Sequence, residues 1–390
     1  MNRVYKSLSS LRLTVALLGC CFLLVFFGTL DQVHIGIREV QLRYFESIIA
    51  LWHYPAAWPG GAVLSKLFIP LPGGFLLGGL LVINLIFAAV RYFQFKPKKI
   101  GIMLIHSGIL LLIVSGFLTS YFQVESQMWI DEGGRSNYSK STDENEFVII
   151  DKSNPSFDRV VSMPVVLLES GKEVQVGTFP FTVKPEVFFA NAGIQMRRND
   201  PSLPPGLANR GAGMKMDLVA VPLAPTYKQN EVNTVSAYVT LVAGDGEIGT
   251  WLVSNVFDER FPPQRFSYND KEYEIAIRFK RYYYPFWLEL TQFRFDRYPG
   301  TEIPRNFSSE VNILDAEKST GRKALIYMNN PLRYEGYTFY QASFTPNETA
   351  TMLQVVRNPS RVLPYIAVFL VGMGLLVHFL LKLVRFLKVI

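Results

Sequence analysis

The chain has 390 residues, of which 49% are hydrophobic and 18% charged, with a formal net charge of +7. Its two cysteines, Cys20 and Cys21, are adjacent within an apolar run, which excludes a disulfide scaffold and thiol exchange outside that run. No Ser/His/Asp arrangement, phosphate-binding loop or CxxC motif occurs, so the sequence gives no support to a triad hydrolase, a phosphate-loop protein or a dithiol oxidoreductase.

Four stretches are long and apolar enough to cross a membrane, because a hydrocarbon core of about 30 Å needs roughly 20 helical residues. The first follows basic residues as a secretory signal would, but it is long and ends in GTLDQ, without a small-x-small cleavage site. We therefore interpret it as a retained helix. The four predicted spans are Leu13–Leu30, Gly73–Val90, Ile100–Phe122 and Leu363–Leu381.

Basic residues cluster before the first span, between the second and third, and after the fourth, and the positive-inside rule places these segments in the cytoplasm. Both termini are then cytoplasmic, and residues 31–72 and 123–361 lie outside. Much of the net charge reflects this topology rather than nucleic-acid binding, and the absence of a transit peptide favours a bacterial inner (plasma) membrane. The basic residues are Arg3, Lys6, Arg12, Arg91, Lys96, Lys98, Lys99, Lys382, Arg385 and Lys388.

Three regions follow from this pattern. Residues 1–122 form a predicted membrane region with three spans and an outer loop at 31–72, in which REVQLRYFESIIALWHY has the spacing of an interfacial helix. Residues 123–361 alternate β-branched and aromatic runs with turn signals, which predicts a large extracytoplasmic all-β domain, an antiparallel sandwich or open barrel close to the membrane. Its segment NDPSLPPGLANRGAG predicts a mobile loop. Residues 362–390 hold the fourth span and a cytoplasmic tail.

His106, within the third span, is the strongest candidate for chemistry. An ionisable side chain in a bilayer is costly and usually has a function and a partner, and imidazole is a common ligand of haem iron. His106 is six residues beyond Ile100, roughly 9 Å deep at 1.5 Å per residue. The neighbouring Gly101 and Gly108 allow either a close helix approach or room for a flat ring. The alternative is a histidine that hydrogen-bonds a neighbouring helix and binds nothing.

His378 lies three residues before the cytoplasmic end of the fourth span, at a depth similar to that of His106. The two could be axial ligands of one haem within the chain, or His378 could extend to the interface beside Lys382, which we favour. His34 and His53 lie on the outer loop and are most simply surface histidines.

Two aromatic motifs in the predicted outer domain have a structural explanation. NNPLRYEGYTFYQASF predicts a hairpin that packs its aromatic side chains into the core. RFKRYYYPFW alternates basic and apolar residues, so Arg278 and Lys280 could contact haem propionates or an acidic partner, although a solvated face is the simpler interpretation. The sequence DEGG after the third span predicts a turn.

Several segments, taken together, resemble the ResB (CcsB) family of cytochrome c biogenesis proteins. These are LSSLRLTVALLGCCFLLVFFGTLDQ, KIGIMLIHSGILLLIVSGFLTS, FRFDRYPGTEIPRNFSSEVNILD and NNPLRYEGYTFYQASF, in the family's order. The link GTLDQ departs from the slightly longer family form, and the outer domain is shorter than in many relatives. Similarity extends over nearly the whole chain.

This resemblance implies a non-catalytic or co-catalytic subunit of a cytochrome c synthase (haem lyase) complex that moves haem b outward and attaches it to apocytochrome c at a CxxCH motif. The implied partners are a ResC/CcsA-type membrane protein with a tryptophan-rich WWD segment and a thiol-reducing thioredoxin-like protein. The resemblance also implies that His106 binds the haem iron and that the opposite ligand comes from the partner. The five tryptophans here are scattered and form no WWD segment.

Two other functions remain open at this stage. One is a self-contained membrane b-type cytochrome with a haem between His106 and His378. The other is a membrane-anchored, non-catalytic scaffold whose function lies in the outer domain. Under the family interpretation that domain holds the apocytochrome or shields the partner's exit site.

Overall fold

The computed structural model describes residues 3–55, 58–64, 66–92, 96, 99–226, 232–244, 246–301, 304–315, 321–345 and 349–388. Among the basic residues used for the topology, Lys98 lies outside this set. The chain divides into two compact units. The helical unit contains the residues up to Val124 and those from Asn358 onward, and the β unit contains Glu125–Thr226 and Val232–Arg357.

Within the described residues, four helices of the helical unit are long and apolar enough to cross a membrane. The third has the predicted bounds, whereas the first begins two residues earlier and ends at Ile35, where Gly36 adopts φ 82° and its N–H closes the last turn on the Gln32 carbonyl. The fourth continues six residues beyond the predicted end. The helices of this unit are α1 (Arg3–Leu8), α2 (Leu11–Ile35), α3 (Ile37–Val40), α4 (Gly61–Leu64), α5 (Gly74–Tyr92), α6 (Ile100–Phe122) and α10 (Leu363–Leu387).

A buried asparagine ties the start of the chain to α5. The Asn84 amide donates to the Leu8 carbonyl at 2.6 Å and accepts from the Thr14 hydroxyl at 2.6 Å. Lower on α5, the Arg91 guanidinium donates to the Ser9 hydroxyl at 2.7 Å. The Asn84 amide thereby binds the carbonyls of Leu8 and, at 3.3 Å, Ser10 between α1 and α2, which an apolar environment would otherwise leave unsatisfied.

The outer loop of the helical unit differs from the prediction in its second half. Helical conformation continues from α3 through a π-helical turn at Gln41–Phe45, as its spacing indicates. The next segment is strand β1 (Ile49–His53), which pairs antiparallel with β2 (Phe68–Pro72) and places Trp52 opposite Ile69. Alternate residues of β1 are buried, so a period of two prevails over the predicted helical period.

The β unit confirms the predicted fold class, a large antiparallel β domain in the form of a nearly closed sandwich. In the described residues one sheet has ten strands and follows the order β15-β14-β13-β4-β3-β18-β17-β16, with β12 beside β13 and β5 beside β4. The second sheet follows the order β11-β10-β7-β6, and β8 pairs with β9. The strands are β3 (Val124–Asp131), β4 (Arg135–Asp151), β5 (Arg159–Pro164), β6 (Val174–Gln175), β7 (Thr182–Phe189), β8 (Ala192–Met196), β9 (Leu218–Pro222), β10 (Ser236–Ala243), β11 (Gly246–Ser254), β12 (Gln264–Tyr268), β13 (Lys271–Arg297), β14 (Pro304–Asp315), β15 (Arg322–Tyr327), β16 (Leu332–Tyr334), β17 (Tyr337–Phe344) and β18 (Ala350–Arg357).

The long strand β13 connects two hydrophobic cores. Its first half packs with β4 against the four-stranded sheet, and its second half packs with β14 and β17 around another cluster. Its pairing with β4 shifts register between Tyr283 and Leu288, around Pro285, which has no N–H to donate to the ladder. The first core contains Phe147, Ile149, Val183, Val239, Trp251, Ile275 and Ile277, and the second contains Leu288, Leu290, Val311, Phe339 and Leu353.

Some strands were not expected from the sequence. β3 and β18 flank the membrane helices in the chain and were missed, and VVLLE forms the short helix α7 (Val166–Glu169) instead of extending a strand. The DEGG turn is present between β3 and β4, with the Gly134 N–H donating to the Asp131 carbonyl at 2.8 Å. The other short helices are α8 (Gly211–Lys215) and α9 (Phe257–Arg260).

Candidate functional site: a histidine on the third membrane helix

The imidazole of His106 is oriented by its own helix. Its Nδ1 lies 2.8 Å from the carbonyl oxygen of Ile102, one turn earlier on α6. Because a carbonyl oxygen only accepts, the hydrogen bond requires the proton on Nδ1 and leaves the lone pair on Nε2. The Nε2 atom has no hydrogen-bond partner among the described residues. This is the tautomer and the second contact that a metal-binding imidazole needs.

Small residues bring α6 and α10 into close backbone contact. Gly101, Gly108 and Ser115 are the buried residues of α6 and recur every seven positions, opposite Ala367 and Gly374 of α10. A Cβ atom at Gly108 would lie 2.8 Å from the Ala367 carbonyl oxygen, and one at Gly374 would lie 2.7 Å from the Ile105 nitrogen. Of the two uses predicted for Gly101 and Gly108, the structure shows the close helix approach.

His106 lies on the other side of α6. At 3.6 residues per turn it is about 140° around the helix from Gly101 and about 160° from Gly108. His106 is exposed, and its neighbours on that face are the exposed apolar residues Ile109, Ile113 and Phe117. The helical unit therefore presents one imidazole on an apolar surface that its own fourth helix does not cover.

His378 faces the helix contact instead. It follows Ala367 by eleven residues, which returns it to the side of α10 that packs on α6. A Cβ atom at Gly101 would lie 2.6 Å from the His378 backbone nitrogen, so the two residues are at one level. His106 is five residues further along α6, about 7.5 Å away along the axis. The structure thus does not bring the imidazoles of His106 and His378 together. Among the described residues, the His378 ring contacts the Phe379 ring and has no hydrogen-bond partner.

A polar cluster that the sequence did not indicate joins the opposite ends of the same two helices. The Asn358 amide donates to the Thr119 hydroxyl at 3.2 Å and to the Gln123 side-chain oxygen at 3.1 Å. The Thr119 and Ser360 hydroxyls lie 3.2 Å apart. These contacts fix α6 against α10 at the end away from Gly101, and they hold the orientation of the face that carries His106.

The remaining histidines form no metal centre. His34 and His53 are exposed, and His53 lies beside the ring of Phe68 at 6.3 Å between centroids. Among the described residues no group of three or more His, Cys, Asp and Glu side chains could hold a metal ion.

The basic residues of RFKRYYYPFW are engaged within the β unit. The Arg278 guanidinium donates to the Glu146 carboxylate at 2.9 Å, and both side chains are buried, so the expected solvated face is wrong at Arg278. Lys280 lies 2.6 Å from Glu144, and this hydrogen bond lowers the pKa of that carboxyl. The two cations therefore stabilise the pairing of β4 with β13, and no sequence pattern indicated their acidic partners.

The motif NNPLRYEGYTFYQASF forms the predicted hairpin. Asn329 and Gly336 adopt positive φ at its turns, and Leu332 and Phe339 are buried. The Tyr337 ring packs edge-on against Tyr284 at 4.8 Å. The motif thus builds the second core, and the described residues place no ionisable cluster on it.

Comparisons with known proteins find sequence similarity over parts of this chain. The sequence model of the ResB-like family matches residues 265–358, which include the second half of the β unit. Protein NrfI of Wolinella succinogenes is 32% identical over 108 residues, which are 28% of this chain and 12% of that protein. Cytochrome c biogenesis protein CcsB of Prochlorococcus marinus is 35% identical over 77 residues, 20% of this chain and 17% of that protein.

The matched segments thus span only a minor part of both relatives. The family match at residues 265–358 contains two of the four segments on which the resemblance was based, FRFDRYPGTEIPRNFSSEVNILD and NNPLRYEGYTFYQASF, and the two membrane-helix segments lie outside it. The predicted resemblance to the ResB family is confirmed, in that the chain contains a ResB-like segment at residues 265–358.

Proposed function

We propose that this chain is a membrane subunit of a cytochrome c assembly complex, and that His106 supplies one axial ligand to the haem that the complex moves outward. The observation that supports the proposal is the orientation of His106. Its Nδ1 proton is bound by the Ile102 carbonyl, and its Nε2 lone pair lies on an exposed apolar face of a membrane-spanning helix.

The residues on this face fit haem as a cargo. The apolar side chains beside His106 suit the faces of a porphyrin, and neutral imidazole is a common ligand of its iron. His106 provides a single ligand, because His378 lies on the opposite side of α6. The second ligand then comes from another protein, and a ResC/CcsA-type partner with a WWD segment is our proposal for it.

The outer partners follow from the same role. The product requires an apocytochrome c with a CxxCH motif, and a thioredoxin-like protein would keep its two thiols reduced. This chain contributes no thiol outside the adjacent pair in α2. We place the β unit on the extracytoplasmic side and both termini in the cytoplasm, in the bacterial inner membrane.

The test is the reduced absorption spectrum and haem content of the chain purified with its partner and by itself. We expect co-purified haem only in the complex, with its histidine-ligated spectrum lost in His106→Ala and retained in His378→Ala, which changes a histidine of the same unit. Complex assembly, measured by co-purification, should persist in both variants. Co-purified haem in the isolated chain that requires both histidines would establish a self-contained cytochrome instead, and a reduced spectrum of the complex that His106→Ala leaves unchanged would refute the proposed ligand.

A further inference from the structure

The β unit contains a cavity of about 860 Å³ that no motif of the sequence indicated. It lies between α8, strand β11 and the segment Pro262–Ser267, which contains most of strand β12. Its volume is within the range of sites that enclose a small molecule or cofactor, roughly 300–1,000 Å³. All of its lining residues belong to the β unit.

A buried glutamine holds the walls of the cavity together. Gln264 is 8% exposed, accepts from the Ala212 N–H at 2.9 Å and donates to the Leu252 carbonyl at 2.9 Å. The segment that leads into α8 is bound to β11, because the Arg210 N–H donates to the Thr250 carbonyl at 3.1 Å. The segment predicted to be a mobile loop is therefore fixed at its second half, and the cavity is preformed.

Position 211 admits only glycine. Gly211 has φ 66°, and a Cβ atom there would lie 2.7 Å from Cδ1 of Trp251 and still closer to the Gln264 side-chain oxygen. The backbone of α8 thus approaches the indole directly. The indole Nε1 of Trp251 is buried and has no hydrogen-bond partner among the described residues.

The cavity combines three cations with an apolar wall. Arg210, Lys215 and Arg265 line it, and no acidic side chain appears among its described lining residues. Arg265 also contacts Glu274 at 3.0 Å on strand β13. Such a lining selects a ligand that is apolar over most of its surface and carries more than one negative charge. The apolar lining comprises Met214, Met216, Ile248, Trp251, Phe261 and Phe266.

We propose that this cavity is a second, extracytoplasmic haem-holding site, in which the cations pair with the two propionates and Met214 offers its thioether to the iron. The inference rests on the proposed function, because it concerns the same cargo. Met214 is 53% exposed and belongs to the cavity wall, and a methionine thioether is an established axial ligand of haem. A fatty acid carries one negative charge and does not bind a thioether, so it would leave the additional cations and Met214 without a role.

The experiment uses the full chain in detergent with His106→Ala, so that the site on α6 is removed. Haem is added, reduced and titrated by absorption and by quenching of tryptophan fluorescence, since Trp251 lines the cavity. We expect one equivalent to bind. Arg210→Glu with Lys215→Glu should weaken binding roughly tenfold or more, because charge-assisted contacts are lost. The matched control reverses Arg322 and Lys323, which are exposed on β15 of the same unit.

The iron ligand is tested separately. Met214→Leu should shift the spectrum of the reduced haem, whereas Met328→Leu should not, because Met328 is comparably exposed at 43% but lies outside the cavity. Iron-free protoporphyrin should bind with the same dependence on Arg210 and Lys215 and with none on Met214. Haem with both propionates esterified should bind roughly tenfold more weakly.

The outcomes separate this inference from the proposed function. No binding in the His106→Ala chain, or binding that neither the charge reversal nor Met214→Leu alters, overturns the cavity site and leaves His106 intact as a ligand. Equal competition by oleate would also overturn it, because the cavity would then accept any apolar anion. Cavity binding in the chain by itself, together with haem that survives in the partner complex when His106→Ala is combined with Arg210→Glu and Lys215→Glu, would refute the proposed function while supporting this site, because neither site of this chain could then account for the haem.

Discussion

At the scale of the residue, hydrogen bonds decide which side chains are available for chemistry. The Nδ1 of His106 is occupied by the carbonyl four residues earlier, and this contact alone assigns the tautomer and leaves Nε2 to bind. Arg278, the charged residue that the RFKRYYYPFW motif offered for haem propionates or an acidic partner, is buried and paired with Glu146. The sequence indicated both residues, but only the contacts distinguish a candidate ligand from a residue in a structural ion pair.

Gln264 gives a prediction about stability. Gln264→Leu keeps the approximate volume but leaves the Ala212 N–H and the Leu252 carbonyl without partners, so we expect the β unit to lose about 1–3 kcal/mol of its free energy of unfolding. Denaturant unfolding followed by tryptophan fluorescence measures the loss. Trypsin should also cleave faster after Arg210 and Lys215, since the Ala212 N–H between them is no longer bound to the side chain at position 264.

The matched control is Gln195→Leu, an exposed glutamine on β8 of the same unit. It should change the unfolding free energy by less than about 0.5 kcal/mol. A similar loss in both variants would mean that the amide contacts of Gln264 do not hold the cavity walls.

At the scale of the element, helices whose bounds depend on local composition were predicted from the sequence, whereas strands that form by pairing with a distant segment were not. The bounds of α6 follow from one uninterrupted apolar run between lysines and a polar segment, and they were predicted residue for residue. The helical spacing of the outer loop also continued through Phe45, but β1 forms because it pairs with β2 from beyond the Pro/Gly cluster. The strands β3 and β18 are neighbours in the sheet although more than 200 residues separate them, and no local pattern indicates such a pair.

In the candidate site, too, the residues themselves could be predicted from the local sequence, whereas their placement could not. His106 was predicted because a histidine in an apolar run is conspicuous, and Gly101 and Gly108 because small residues permit close packing. Their placement on opposite sides of α6 depends on which side α10 covers, and this needs the three-dimensional contact. The cavity of the β unit joins residues that are 57 positions apart, from Arg210 to Ser267, and periodicity gives no signal for it.

The packing of α6 on α10 gives a second prediction. Gly374→Val places a side chain against the Ile105 backbone, so we expect the helical unit to be destabilised by about 1–3 kcal/mol or more. Gly372→Val is the control, because a Cβ atom there has no neighbour within 4 Å and the change in helix propensity is the same. Thermal unfolding in detergent should separate the two variants by several degrees. Equal stability would show that the close approach does not hold these helices together.

At the scale of the whole molecule, the chain consists of a helical unit with one oriented imidazole and a β unit with a preformed cationic cavity. In the proposed topology the four spans are an even number, so both termini share one side of the membrane and the β unit, between the third and fourth spans, lies on the other. A cargo that binds first at His106 and then in the cavity would cross from one side to the other. The predicted limits of the outer domain, 123–361, remain a prediction, as does its side of the membrane.

Sidedness can be measured directly, and it decides whether the two sites can act in sequence. In a chain with Cys20 and Cys21 replaced by alanine, we expect a membrane-impermeant maleimide to label Lys172→Cys in intact spheroplasts. Lys388→Cys should react only after lysis, because the basic residues at the helix ends favour the cytoplasm. Both positions are exposed, so reactivity reports the compartment rather than burial. The reverse pattern would place the β unit in the cytoplasm, and the cavity would then hold haem before transfer instead of after it.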